Sequence, residues 1–397
     1  MLKSFAKRKG LSPTVFRLGL ISLFADISSE MLYPITPIFL TSVLGASMVS
    51  VGFIEGLAEA LASILKVFAG RWSDLLGKRK FFVWIGYLLA AIAKPAIGLS
   101  QATSHVLIAR AFDRTGKGLR SAPRDALLAE SVRKEERGAA FGWHRFMDTL
   151  GAVIGPLLAL CFLSFYSTNL RSIYLWATIP GVLAVLVALT ISDIKKTGAR
   201  EEQPVLRLRS LPKSFKTYIV GWIIFSLANS SDVFLLLRAK QLGSDNTTVI
   251  LLYCLYNLTY AVFSPYLGGL SDVVGRKKCL VLGLAIFSIV YLGFAVANSM
   301  IHLILLFAIY GIYMAATDGV GKAFAVDLLP ENQKATAVGI LGTTTEIATV
   351  ISSTLAGFLW ERFSPQMTFL TGSAGSVLAI SIFLTFLNEG DSHAPVA

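Results

Sequence analysis

The chain is poor in charge and poorer still in reactive side chains. Asp, Glu, Lys and Arg make up 15% of its 397 residues, against about 25% in an ordinary soluble domain. A water-soluble protein of this length buries a large core and still needs a charged surface, so the shortage excludes a soluble enzyme. Only three cysteines occur, Cys161, Cys254 and Cys279, at spacings that match no metal or redox motif. The four histidines, His105, His144, His302 and His393, are equally scattered. No nucleophile–base pair or metal-ligand cluster is evident, so the expectation is a protein with no cofactor and no enzymatic chemistry.

Apolar residues fill the gap: 54% of the chain, with 26 phenylalanines and a mean hydropathy of +0.66. A helix needs about 20 apolar residues to cross a bilayer. Such runs fall near 15–40, 47–70, 81–100, 103–126, 138–163 and 171–192, then near 216–239, 247–270, 279–297, 301–324, 334–359 and 366–387. The reading is an all-α polytopic membrane protein with twelve spans in two sets of six. The fourth is the least hydrophobic. The domain reading is a first half at 1–192, a linker at 193–215 and a second half with a short tail at 216–397.

A net charge of +12 would suit a nucleic-acid binder, but the bases lie where topology is set. Lys3, Lys7, Arg8 and Lys9 precede the first span; Lys78, Arg79 and Lys80 follow the second; Arg276, Lys277 and Lys278 follow the eighth. The alternate connections are nearly bare. Both termini are therefore expected in the cytoplasm and the protein in a bacterial inner membrane. Nucleic acid is not an expected partner; anionic lipids beside the basic loops are. No cleavable signal is expected, because the first apolar run is too long.

An internal repeat supports two halves. Residues 70–80 read GRWSDLLGKRK and 268–278 read GGLSDVVGRKK, so Gly70, Asp74 and Gly77 recur 198 positions later as Gly268, Asp272 and Gly275. A weaker echo links DALLAE at 125–130 with VDLLPE at 326–331. Parallel six-helix repeats are a transporter architecture.

The G-x-x-x-D-x-x-G-[RK]-[RK]-[RK] pattern resembles the signature loop of the major facilitator superfamily. That resemblance covers the whole chain and implies a monomeric secondary transporter working by alternating access. It implies that spans 1, 4, 7 and 10 line the cavity. It gives Gly70, Asp74, Gly77, Arg79, Gly268, Asp272, Gly275 and Lys277 a gating role, with Asp74 as a latch that pairs with a base across the halves.

Charges inside spans are expensive and mark function. Asp26 and Glu30 share one face of the first span, and Glu55 and Glu59 one face of the second. Arg110, Asp113, Arg114 and Lys117 form a stripe on the fourth, with Arg120 and Arg124 expected near its cytoplasmic mouth. His144, Arg145 and Asp148 follow on the fifth. Asp26 and Glu30 are the first choices for carrying a coupling proton, followed by Glu59 and Asp148. Tyr33, Arg110, Asp113, Arg114, Lys117 and Arg145 are expected at a substrate cavity in the first half. Asn229, Asp232, Tyr256, Asn257 and Asp318 are expected to do the same in the second.

Two stretches resemble drug–proton antiporters in part. Arg110 and Gly116 match R-A-L-Q-G-x-G, but Asp113, Arg114 and Lys117 depart from it. Gly151, Gly155 and Pro156 match G-x-x-x-G-P, whereas Ala159 and Leu160 replace the later glycines. The basic stripe favours a small anionic or zwitterionic organic solute moved with protons, in either direction. The alternative is a proton-driven multidrug efflux antiporter.

Overall fold

The structure is a computed structural model that describes residues 12–133, 137–165, 169–193, 211–329 and 334–387. Among the described residues there is no strand. The first group of helices is α1 (Pro13–Glu30), α2 (Thr36–Ile38, running into a π turn at Phe39–Val43), α3 (Met48–Leu76), α4 (Arg79–Gly98), α5 (Thr103–Glu130), α6 (Arg137–Phe165) and α7 (Leu170–Leu189). The second is α8 (Lys213–Ala228), α9 (Val233–Gln241), α10 (Asn246–Val274), α11 (Arg276–Val296), α12 (Met300–Asp327), α13 (Lys334–Arg362) and α14 (Pro365–Phe386). Nine segments among the described residues are long and apolar enough to cross a membrane. α5 is not among them, and its side chains explain why. Arg110, Arg114 and Arg120 are buried, while Ile108 and Phe112 stand more than half exposed. The helix is turned inside out relative to a soluble one, with charge inward and hydrocarbon outward, as lipid requires.

The chain forms two compact units. One comprises residues 1–45 and 57–200; the other comprises residues 46–56 and 201–397. In the first, α1 packs on α6 and α7, and α4 on α5 and α7. In the second, α8 packs on α13 and α14, and α11 on α12 and α14. These pairings correspond in order between the two sets, so the sequence repeat has a counterpart in packing. The segment 46–56, the start of α3, belongs to the second unit, where Gly52 and Gly56 leave room for the backbone of α13 at Ser353 and Val350. The expected linker falls largely at 194–210, outside the described residues.

Two spans expected to be continuous are broken. α1 begins under a Ser12 cap, whose hydroxyl accepts the Val15 N–H at 3.3 Å, with Pro13 in the first turn. It ends at Glu30, and turns cover 31–35, where Pro34 has no N–H to continue the ladder. α8 ends at Ala228, Asn229 is extended (φ −87°, ψ 98°), and helix resumes at Val233. The 198-residue offset of the sequence repeat carries 31 onto 229. The same span is interrupted at the same place in both halves, a pattern that marks binding sites in transporters of repeated architecture.

The two signature loops also repeat in detail. Gly77 (φ +64°) and Gly275 (φ +104°) each turn the chain through the left-handed region that favours glycine. Ser73 and Ser271 donate to the carbonyls of Gly70 and Gly268 at 2.9 and 2.7 Å. Asp74 Oδ1 lies 2.9 Å from Arg79 Nη2 in its own loop. Arg79 therefore turns inward rather than towards headgroups, whereas Lys78 is exposed. Lys277 donates to the Leu387 carbonyl. The side chain of Asp272 lies outside the described residues.

Candidate functional site

A polar cavity of about 140 Å³ lies inside the first unit. α1 and the turn after it contribute Asp26, Ser29, Glu30, Tyr33 and Thr36; α3 contributes Glu59; α4 contributes Lys94. α5 supplies Arg110, Asp113, Arg114, Lys117 and Arg120, and α7 adds Tyr174. Small residues let these helices approach. Gly116 of α5 lies against the Gly86 carbonyl of α4, and Gly118 against Ala62 of α3, so an added Cβ at either would collide with backbone. This brings Lys94 and Glu59 to the α5 stripe.

Within the stripe the charges form a chain. Arg114 Nη1 lies 2.8 Å from Glu59 Oε1, and its Nε 3.3 Å from Asp113 Oδ2. Lys117 Nζ lies 3.5 Å from Glu59 Oε2, and Lys94 Nζ 3.9 Å from Asp113 Oδ1. Lys94 also donates to the Ala90 carbonyl at 3.3 Å. Three bases thus share two acids. The Arg120 guanidinium rests 4.2 Å from the centre of the Tyr87 ring, a cation–π contact. Tyr174 donates to the Thr36 hydroxyl at 3.0 Å, fixing one wall. Taken whole, the lining holds five bases and four carboxylates.

Behind the cavity, α6 presses on α1. Gly151 lies against Asp26 and Leu23, and Gly155 against Ile27, Glu30 and Met31. The resemblance to the antiporter motif thus has a packing cause: both glycines seat the helix that carries Asp26 and Glu30. Asp148 lies 3.9 Å from His144 Nδ1 and accepts from the Ser22 hydroxyl. Its carboxyl group also faces that of Asp26 across the α1–α6 contact.

Of the expected first-half residues, Asp26, Glu30, Tyr33, Glu59, Arg110, Asp113, Arg114 and Lys117 meet at the cavity. Asp148 stands one layer behind it. Arg145 is exposed and outside the lining, because its neighbours His144 and Met147 take the buried face of α6. Lys94 and Arg120 line the cavity without having been expected there. Arg120 was expected at the cytoplasmic mouth, but its spacing after Arg110, Arg114 and Lys117 extends the same helical face.

The second unit divides its expected residues among smaller groups. Asp232 accepts from Tyr310 at 2.6 Å and from Tyr256 at 3.2 Å. Asn229 sits between Tyr313 and Tyr291, at 3.4 and 3.3 Å. Asp318 accepts from Tyr260 at 2.9 Å and pairs with Lys322 one turn along α12. Asn257 donates to the Tyr253 carbonyl in its own helix at 3.0 Å. Arg238 is spent on structure, donating to the carbonyls of Phe294 and Ala297.

The family model for the Major Facilitator Superfamily matches residues 18–237 and 217–397. The chain is 39% identical to an uncharacterised MFS-type transporter of Methanocaldococcus jannaschii, over 95% of each chain. It is 23% identical to Multidrug resistance protein 2 of Bacillus subtilis, over 98% of this chain and 97% of that one. In fold it is similar to the nucleoside transporter NupG (TM-score 0.79, 14% identity, 94% of this chain and 100% of that one). It is also similar to a D-xylose–proton symporter (TM-score 0.75, 16% identity, 96% and 99%). The chain belongs to the major facilitator superfamily: it is a polytopic membrane transporter, and its helices have that fold.

Proposed function

We propose that this member of the superfamily moves a small anionic or zwitterionic organic solute across the membrane by alternating access, driven by protons. The observation that carries the reading is the lining of the first-unit cavity, where Lys94, Arg110, Arg114, Lys117 and Arg120 outnumber the carboxylates. Bases that outnumber the acids beside them favour an anionic group among them. The proton is assigned to the carboxyls on and behind α1. Asp26 and Asp148 face each other as two carboxyls that can share one proton, beside Glu30 in the lining. Asp74, Asp272 and the glycines around them form the cytoplasmic gate, with both termini on that side of a cytoplasmic membrane. Lys78 and Lys80 are the bases of the first signature loop assigned to anionic headgroups, and the monomer is the working unit.

A second reading, proton-driven multidrug efflux, draws on the Bacillus subtilis relative's name and on the glycines of α6. The basic lining weighs against it, since hydrophobic cations are repelled by the same side chains. Proteoliposomes decide between them. Organic anions should be taken up or expelled according to an imposed pH gradient. Flux that ignores the gradient overturns proton coupling, and transport confined to hydrophobic cations overturns the anion reading.

A further inference from the structure

We infer that Arg120, braced on the ring of Tyr87, is the anchor for the single carboxylate group of a compact organic solute. The inference rests on the transport reading above and narrows it to one side chain and one ligand group.

The bases of the cavity are not equally available. Arg114 is held by Glu59 and Asp113, Lys117 by Glu59, and Lys94 by Asp113 and the Ala90 carbonyl. Arg110 is engaged as well. Arg120 lines the same cavity and is 8% exposed, yet its Nη1 has no acceptor among the described residues. Asp26 and Asp113 act on it only through space. Asp26 is turned to Asp148, and Asp113 to Arg114 and Lys94. A buried guanidinium short of acceptors is costly, and an anion that reaches it removes the cost.

Packing aims the side chain. Gly86 of α4 leaves room for Arg120, whose Cβ and backbone nitrogen a Cβ at 86 would meet at 2.7 and 3.1 Å. That approach sets the guanidinium 4.2 Å from the centre of the ring of Tyr87, the next residue of α4. A ring face attracts the cation without consuming its N–H groups, so the donor fork is left for a planar acceptor. A carboxylate matches such a fork with two parallel hydrogen bonds.

Charge and size agree with that group. Five bases and four carboxylates leave the ionised lining with one positive charge in excess, which one carboxylate cancels and two would overshoot. The cavity of about 140 Å³ is near the size of one that admits benzene, so the solute has about six non-hydrogen atoms.

The test is a ligand-detected NMR titration of the full-length protein in detergent, at pH 7.5 and constant ionic strength, with isobutyrate, its neutral isostere isobutyramide, and succinate. Isobutyrate should bind at least about tenfold more tightly than isobutyramide, and succinate no more tightly than isobutyrate. Arg120→Gln should bring isobutyrate and isobutyramide within about threefold of each other. Arg120→Lys should restore part of the preference, and Tyr87→Leu should weaken isobutyrate binding more than Tyr87→Phe. Equal binding of isobutyrate and isobutyramide by the unaltered protein overturns the anchor, with no variant required. So does a folded Arg120→Gln protein that keeps the preference, or one that loses both ligands equally, which would make Arg120 a structural brace. Tighter binding of succinate overturns the single-charge match. Binding needs no flux: isobutyrate preference without a response of transport to a pH gradient would count against proton coupling and leave the anchor standing. Gradient-driven transport of other organic anions without that preference would do the reverse.

Discussion

Arg79 holds Glu130: its Nη2 lies 2.7 Å from Glu130 Oε1 while also meeting Asp74, so the first signature loop is tied to the last residue of α5. The second unit repeats the tie with other residues, Arg276 Nε lying 2.6 Å from Asp327 Oδ2 at the end of α12. Each loop is thus fastened to the end of a helix that the resemblance places on the cavity.

That fastening is open to a double-mutant cycle. Arg79→Ala and Glu130→Gln should each lower stability in detergent, and the pair should show a coupling of about 1–3 kcal/mol. Additive effects would mean that the loop and α5 are not energetically joined. Arg276→Ala with Asp327→Asn should give a smaller coupling, because that pair is more exposed.

Glu59 is held between Arg114 and Lys117. Glu59→Gln leaves two bases facing each other in the cavity and should destabilise the protein by about 3 kcal/mol, the low end for a broken buried pair because Glu59 is partly exposed. Arg114→Gln should reduce anion flux at least about tenfold, equivalent to about 1.4 kcal/mol. Unchanged flux in a folded Arg114→Gln protein would remove the stripe from the binding site.

Asp26 and Asp148 face each other between α1 and α6. Asp26→Asn and Asp148→Asn should each suppress the response of flux to a pH gradient while leaving solute affinity within about threefold. Gradient-driven flux preserved in both variants would sink the assignment of the proton to this pair.

Outside the membrane, Asp245 caps α10 by accepting from the Thr248 N–H at 2.8 Å. The hydrogen bonds from Thr248, side chain first and then backbone, hold its carboxyl below the usual carboxylate range. A lowered folded value means that the stabilisation is fully present above the unfolded carboxylate pKa of about 3.9 and is lost as pH falls through the folded value. Asp245→Ala should cost about 1 kcal/mol at neutral pH. The gap between variant and parent should close on strong acidification; a gap that persists there would mean that charge plays no part in the cap.

The span pattern was legible because bilayer thickness imposes a length on each apolar run, and the repeat was legible because both loops keep glycine where φ is positive. Even α5 could be placed, since its charges recur on one face. The interruptions in the first and seventh spans were not read as breaks. Pro34 was a visible signal for one, but Asn229–Asp232 carries no proline, and its extended backbone is stabilised by distant groups: Ser352 donates to the Asn229 carbonyl and Ser353 accepts from the Ser231 N–H. Partner choice among acids was also hidden. Asp148 is expected from the sequence only as one more candidate proton carrier; that Gly151 lets α6 close on Asp26 is not legible there.

The inside-out character of α5 bears on how the chain enters the bilayer. Each Arg, Lys or Asp near the centre of an isolated helix opposes insertion by about 2.5–3.5 kcal/mol, and α5 carries Arg110, Asp113, Arg114 and Lys117 in two turns. Alone it would be left in water. Its charges find their partners on α3 and α4, at Glu59 and Lys94, which precede it in synthesis. Integration of α5 is therefore expected to depend on α3 and α4 being in place when it reaches the bilayer. A substitution at Glu59 would show itself first as failed membrane integration, before any solute is moved.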